Sequence, residues 1–281
     1  MPRIIDTSLL IPIISSLAIK ASCELDPLLI EVLKTSYEKE ESPYGRDILY
    51  QLIENAGISS KEMIASCQDT GACMVFLEIG QEVSWIGMPL NEAVNEGVRQ
   101  GYTAGNLRMS MVRDPINRIN TGDNTPAILH TEIIPGEKVK IAVMPKGGGS
   151  ENQSAFTCLN PAEGREGIIK FILETVENAG GKPCPPLIIG VGLGGTMDYC
   201  AYLSKKALLR PMGERNGDPF YAELESELLE RVNRLGIGPM GLGGRITALD
   251  VRIESYACHI TSLPIAINLQ CHSYRLARSI L

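Results

Sequence analysis

The stretch 72–79 constrains this chain most. Cys73-Met74-Val75-Phe76-Leu77 is apolar at successive positions, so it does not alternate toward water and reads as a strand buried within a sheet. Directly before it stands Ser66-Cys67-Gln68-Asp69-Thr70-Gly71: a thiol, an amide, a carboxylate and a hydroxyl side by side, closed by a glycine that lets the chain turn. A helix-like segment leads into this junction. Junctions of this kind present side chains at a sheet edge, where sites are built.

Around that strand the chain reads as mixed α and β. Asp26-Pro27 and Ser42-Pro43 are helix starts, an acidic or hydroxyl cap followed by proline in the first turn. Ala56-Gly57 predicts the stop of the second helix, and Ser59-Ser60-Lys61-Glu62 caps a short third one that delivers Cys67. The spacing of Leu90, Ala93, Val94 and Val98 predicts a helix over 91–102. Apolar runs at 127–134 and 139–143, joined by Pro135-Gly136-Glu137, predict a hairpin whose second strand is half exposed. Strands follow at 187–191, 246–256 and 263–270, with helices from about 162, from about 197 to 210, and over 219–235. Glycine-rich loops fall at 146–152, 190–196 and 236–245. The expected class is α+β: a helical N-terminal third (the 1–66 subregion) wrapped on a mixed sheet, with glycine-rich loops at the site. No flexible, low-complexity boundary divides the chain, so 1–281 reads as one domain.

The net charge of −7 disfavours non-specific binding to nucleic acid and means that an anionic ligand needs a local cluster of basic side chains. The N-terminus lacks the pattern of a signal peptide, and no apolar run approaches the roughly 20 residues of a membrane span. A cytoplasmic chain is expected. There, eight cysteines read as buried thiols or metal ligands sooner than as disulfides.

Several groups could carry chemistry. Cys67, Cys184 and Cys271 all lie at element ends, yet none of the cysteines has the C-x-x-C spacing of a zinc site. Taken singly, each reads as a buried thiol. Gly190-x-Gly192-x-x-Gly195 matches a dinucleotide fingerprint, but the acidic residue at the end of a second strand is missing, and the pattern reads better as a tight turn. The glycines after Lys146 could converge backbone N–H groups on an anion or form a flexible loop. Arg108, Arg113 and Arg118 could grip a carboxylate, although Arg113 and Arg118 read as solvated. His259 and His130 read as hydrogen-bonded strand histidines.

Taken together, five motifs resemble one family. They are 66–71, Asn106-Leu107-Arg108, Lys146-Gly147-Gly148-Gly149-Ser150-Glu151-Asn152, Cys184-Pro185-Pro186 with the 189–196 glycine run, and Cys271-His272-Ser273. In order and rough spacing they resemble the α subunit of class I fumarate hydratases and of L-tartrate dehydratase, over essentially the whole chain. The resemblance implies a [4Fe-4S] cluster held by Cys67, Cys184 and Cys271. One iron would then lack a protein ligand and act as a Lewis acid toward a 2-hydroxy acid. It implies substrate binding by Gln68, Asp69, Arg108 and the backbone at Gly148 and Gly149. Catalytic roles would fall to Asp69 and to His259, the latter in proton transfer. It also implies a β subunit carrying the general base and further carboxylate-binding groups, expected as an α2β2 assembly, since the chain stops ten residues after Cys271. The activity implied is reversible hydration of fumarate to L-malate, with L-tartrate dehydration as the alternative. A nucleotide-binding module using 190–196 and a zinc-stabilised scaffold are the readings from other classes.

Overall fold

The computed structural model describes residues 2–281. In chain order the elements are β1 (Arg3–Asp6), α1 (Leu10–Cys23), α2 (Pro27–Lys39), α3 (Pro43–Glu62), β2 (Ala72–Gly80), β3 (Val83–Ile86), α4 (Leu90–Ala104), β4 (Ile128–Ile134) and β5 (Val139–Lys146). They continue with the single turn α5 (Gly148–Glu151), β6 (Ala155–Leu159), α6 (Gly164–Ala179), β7 (Leu187–Gly195), α7 (Met197–Ala207), α8 (Pro219–Asn233), β8 (Ala248–Cys258), β9 (Leu263–Gln270) and β10 (Ala277–Ile280). The class is α+β, as expected. The chain forms two compact units. The first takes the chain up to Asp26, Asn55–Gly148 and Arg275–Leu281; the second takes Pro27–Glu54 and Gly149–Tyr274. The helical subregion is therefore shared between them, and neither unit is a continuous piece of sequence. We retain a single folding domain over 1–281 as a proposal, because four chain crossings prevent either unit from being cut out whole.

The first unit is built on a four-stranded sheet of order β10-β5-β2-β4, with β1 and β3 as a separate parallel pair. The 72–79 run sits where its composition requires. β2 pairs with β4 on one side and with β5 on the other, so 127–134 and 139–143 do not form a hairpin. The reason is burial. Residues 73–77 are all buried and claim an interior position, whereas β4, with Thr131 and Ile133 exposed, tolerates the edge. On one face Val75 and Leu77 pack with Ile14, Ala18, Val94 and Val98 from α1 and α4. The segment Thr7–Lys39 is long and apolar enough to cross a membrane, which corrects the expectation that no stretch approaches that length. It consists of two helices, and the first is a core helix: Leu10, Ile14, Ala18 and Ala21 are fully buried. α3 also runs on through Gly57 to Glu62 instead of stopping. Open space surrounds Gly57, so nothing there forces a break. Ser59, expected as a helix cap, donates instead to the carbonyls of Cys23 and Ile64 (2.7 and 2.6 Å).

The second unit holds a sheet of order β6-β9-β7-β8. Its two faces differ. Ile189, Val191, Val251, Ile253, Ile267 and Leu269 form an apolar face with α6 and α8. On the opposite face lie Asp250 and Arg252 of β8 and Asn268 and Gln270 of β9, all buried. On this face of β7, Ile188 stands between Asp250 and Gln270, Gly190 between Arg252 and Asn268, and Gly192 one pair further on, and α7 lies against this face. A Cβ at Gly190 would stand 2.1 Å from the Ser204 carbonyl oxygen, and one at Gly192 2.1 Å from that of Cys200. The glycines of the supposed 190–196 loop thus belong mostly to a central strand and admit a helix. With both edges of β7 paired, they cradle no phosphate.

Glu40 anchors the turn between α2 and α3 to the segment leading into β8 within this unit. It is buried and accepts from the N–H groups of Glu41, Ser42, Arg245 and Ile246 (2.7–2.9 Å). Burial by itself would raise its pKa, but those four donors outweigh it and hold the carboxyl below the ordinary glutamate value. Its stabilising contribution is therefore full above the unfolded value and is lost as pH falls through the lowered folded one. Glu40→Ala is expected to cost about 2–4 kcal/mol at neutral pH, because four donors lose a charged acceptor. The difference from wild type should shrink on acidification, as read by denaturant melts at neutral pH and near pH 3.

Candidate active site

In the first unit, the 66–71 junction is fixed almost atom by atom. The Ser66 N–H donates to Ser22 O (3.0 Å), and the Asn55 amide donates to Ser66 O (2.8 Å). Arg275, buried to 1% exposure, donates from Nη1 to Asp69 O (2.6 Å). The Tyr102 hydroxyl donates to Thr70 O and Gly71 O (3.2 and 3.1 Å), and the Asn124 amide also donates to Gly71 O (3.1 Å). Burial drives the Tyr102 phenol well above its usual pKa, so it remains a donor. Gly71 has φ +68°, and a Cβ there would lie 1.9 Å from the Lys146 carbonyl oxygen. Only glycine lets the junction meet the end of β5.

This clamp presents Cys67 half-buried, Gln68 exposed and Asp69 half-buried. Asp69 Oδ2 accepts from the Gly148 N–H (2.9 Å). That corrects one expectation: Gly148 holds Asp69 in place, so its N–H is not free for a ligand. Thr70 Oγ1 donates to the Arg108 carbonyl (3.1 Å), which ties the Arg108 loop to the same junction while its side chain is exposed. Gln68, Asp69 and Arg108 are thus brought onto one junction. Arg113 and Arg118 lie farther along the loop, exposed.

In the second unit, the register of the sheet gathers two cysteines. β7 and β9 run antiparallel with Ile188 opposite Gln270. Cys184 precedes β7 and Cys271 follows β9, so both stand at one sheet edge. The His272 N–H donates to the Cys184 carbonyl (3.3 Å) and joins their segments directly. Cys184 is exposed, with φ +55°, before a cis Pro185-Pro186 bond; Cys271 is 8% exposed. Gly149 is exposed in the turn α5.

His259 is not brought to that edge. It follows β8, which pairs in parallel with β7 and places Cys258 opposite Gly195, at the other end of the sheet. At about 3.3 Å per residue, the nine residues of β7 separate it from Cys184 and Cys271 by on the order of 25 Å. It is exposed, and its Nδ1 shares a hydrogen bond with Thr261 Oγ1 (2.8 Å). The proton-transfer role beside these two cysteines within this unit is therefore not supported. His130 stacks on Phe76 at 4.9 Å, as a packing histidine does.

All eight cysteines are free thiols. Burial pushes Cys73 and Cys200 up to about 12, which keeps them protonated core thiols. Among the described residues no three His, Cys, Asp or Glu side chains converge on a single metal ion, which removes the support for a zinc scaffold. Sequence reasoning missed Tyr102, Asn124 and Arg275. Each is a polar side chain near an apolar run, and only the fold shows which carbonyls they serve.

Comparison with known proteins follows the same lines. The family model described as Fumarate hydratase (Fumerase) matches residues 12–279. This chain belongs to that family of hydro-lyases. A protein of Methanocaldococcus jannaschii, provisionally named as the alpha subunit of L(+)-tartrate dehydratase, is 46% identical over 251 residues, covering 87% of this chain and 88% of its own. The L(+)-tartrate dehydratase subunit alpha of Escherichia coli K12 is 32% identical over 267 residues, covering 94% of this chain and 88% of its own, and that of Shigella sonnei matches equally.

The clamp makes a measurable claim. Asn124 is fully buried; its Oδ1 accepts from Ser110 N (2.7 Å) while its amide serves Gly71 O. Asn124→Ala strands both partners and is expected to cost about 1–3 kcal/mol. It should also speed alkylation of Cys67, followed by mass spectrometry, with Cys73 remaining protected.

Proposed function

We propose that this chain is the α subunit of an iron-sulfur hydro-lyase acting on a four-carbon 2-hydroxy dicarboxylate. The observation that carries the reading is that a rigid junction aligns Cys67 with Gln68, Asp69 and the Arg108 loop, while one sheet edge carries Cys184 and Cys271. The donor set fits a [4Fe-4S] cluster: three free thiols at element ends, each able to take a different iron, so their sulfurs need not converge on one atom. When bound, the cluster supplies a Lewis-acidic iron toward the substrate hydroxyl.

The remaining chemistry of this half-site belongs to its own side chains. Arg108 offers a planar, exposed guanidinium to a carboxylate, and the Gln68 amide adds donors. Asp69, held through Oδ2 by Gly148, has Oδ1 to accept from the substrate hydroxyl or a water and orient it. The Gly149 backbone, in the second unit, is the remaining candidate contact for a carboxylate. The general base and further cationic groups are assigned to a β subunit in an α2β2 assembly. The printed "subunit alpha" names of the relatives support a second subunit. A cytoplasmic, reducing setting belongs to the same proposal and is supported by eight free thiols.

Two substrates fit this class. The relatives' names speak for L-tartrate, and the family description for the fumarate/L-malate pair. We place L-tartrate first. Anaerobic co-expression with a candidate β chain, followed by assay on both acids, should give kcat/KM for L-tartrate at least about tenfold above that for L-malate. The reverse ratio restores fumarate hydration, and turnover of neither acid sinks the hydro-lyase reading. Separately, anaerobic preparations of Cys67→Ser, Cys184→Ser and Cys271→Ser should each lose most of the iron, labile sulfide and visible absorbance of wild type. Cys258→Ser should keep them. A wild-type chain that never holds iron would defeat the cluster assignment.

A further inference from the structure

We propose that the arm over 108–121 is the docking element for the second, non-identical subunit, and that it fits a surface with an acidic rim around an apolar pocket. This rests on the reading above that another subunit completes the site.

The arm is built, not loose. Val112 and Asn120 form an antiparallel bridge, reinforced by Arg113 N to Ile119 O (2.8 Å) and Thr121 N to Met111 O (2.9 Å). The Asn120 amide donates to Met109 O (2.9 Å). At the tip, Asp114 Oδ1 accepts from the N–H groups of Ile116 and Asn117 (2.9 and 2.7 Å), and the Arg118 N–H closes the turn on Asp114 O (2.9 Å). So rigid a projection loses little conformational entropy on binding.

What it presents is the most exposed large apolar side chain among the described residues, on an ordered tip flanked by arginines. Ile116 is 90% exposed and Ile119 53%. Two isoleucines on one ordered tip are the kind of anchor that fills a partner's pocket. Residues 108–119 carry net charge +2 on a chain of −7. Elsewhere Arg99, Arg165, Arg231, Arg234 and Arg245 are each paired with a carboxylate. Arg113 and Arg118 have no carboxylate partner among the described residues, and Asp114 is spent on the turn. An acidic surface complements this arm; its root at the Cys67 junction points to the subunit that completes the site sooner than to a second copy. The arm is also rooted where the chemistry is. Arg108 O is held by Thr70, and Asn124, whose Oδ1 takes Ser110 N at the arm's base, holds Gly71 O. A subunit seated here would stand beside the Cys67 junction.

The test uses the full chain, purified anaerobically with the β chain and separated for affinity measurement. The variants are Arg113→Glu with Arg118→Glu, and Ile116→Asp, all exposed positions outside the half-site. The charge reversal should weaken β-chain binding by about 30-fold or more and flatten its salt dependence; Ile116→Asp should weaken it by about 10-fold or more. Iron content and melting temperature should match wild type. Variants that bind the β chain as wild type does would overturn the proposal and leave the two-subunit reading intact. So would variants that lose only self-association, which assigns the arm to a second copy. Failure of the wild-type chain itself to bind the β chain would bring down the two-subunit reading, and this inference with it.

Discussion

The antiparallel pairing of β7 with β9 is the constraint on which the placement of Cys184 and Cys271 in the second unit depends. It is set by composition. One face of these strands is continuously aliphatic and packs on α6 and α8. The other carries Gly190 and Gly192, so α7 can approach to backbone contact. A slip of one residue would turn the aliphatic face toward α7 and put Asn268 and Gln270 in the apolar core. With the register fixed, the chain entering β7 and the chain leaving β9 must meet at one edge, and those are the positions of Cys184 and Cys271. Segments far apart in sequence are joined there by the backbone hydrogen bond from His272 to Cys184.

The first unit reaches a comparable end by different means. There the 66–71 junction has no regular structure and owes its shape to side chains that serve its carbonyls. Tyr102, Asn124 and Arg275 are buried donors, and each would be costly to bury without an acceptor. The junction supplies those acceptors. Each side thus satisfies the other, and the by-product is a fixed direction for Cys67, Gln68 and Asp69. Preorganisation of this kind is what a site needs if binding energy is not to be consumed in ordering it.

Much of the fold was legible because periodicity and caps report local physics. The Asp26-Pro27 and Ser42-Pro43 starts, the α4 stripe and the buried 72–79 run all stand where the residues placed them. What was not legible depended on partners far away in sequence. The hairpin over 127–143 failed because β2 outcompetes β4 for the interior place beside β5, a matter of which strand has two apolar faces. The stop at Gly57 failed because an exposed glycine costs a helix only about 1 kcal/mol, which packing overrides. The short strands β1, β3, β6 and β10 carry too few residues for a period to show. The glycine run at 190–196 matches a nucleotide fingerprint, yet the missing acidic residue already favoured close helix–strand packing, and its glycines do admit α7. At the site, the three cysteines were visible only as a set of motifs. The placement of His259 at the opposite sheet edge could not be read without the parallel pairing of β7 and β8.

The central proposal is that Cys67, Cys184 and Cys271 hold a cluster with one iron left for substrate, and that Gln68, Asp69 and Arg108 bind that substrate. Mössbauer spectroscopy of the ⁵⁷Fe-loaded, anaerobic complex with and without L-tartrate tests it most directly. The account predicts that substrate shifts about one quarter of the iron signal, because three of four irons carry a cysteine, and that Arg108→Ala suppresses the shift without lowering iron content. A spectrum that substrate leaves unchanged while turnover proceeds would contradict it.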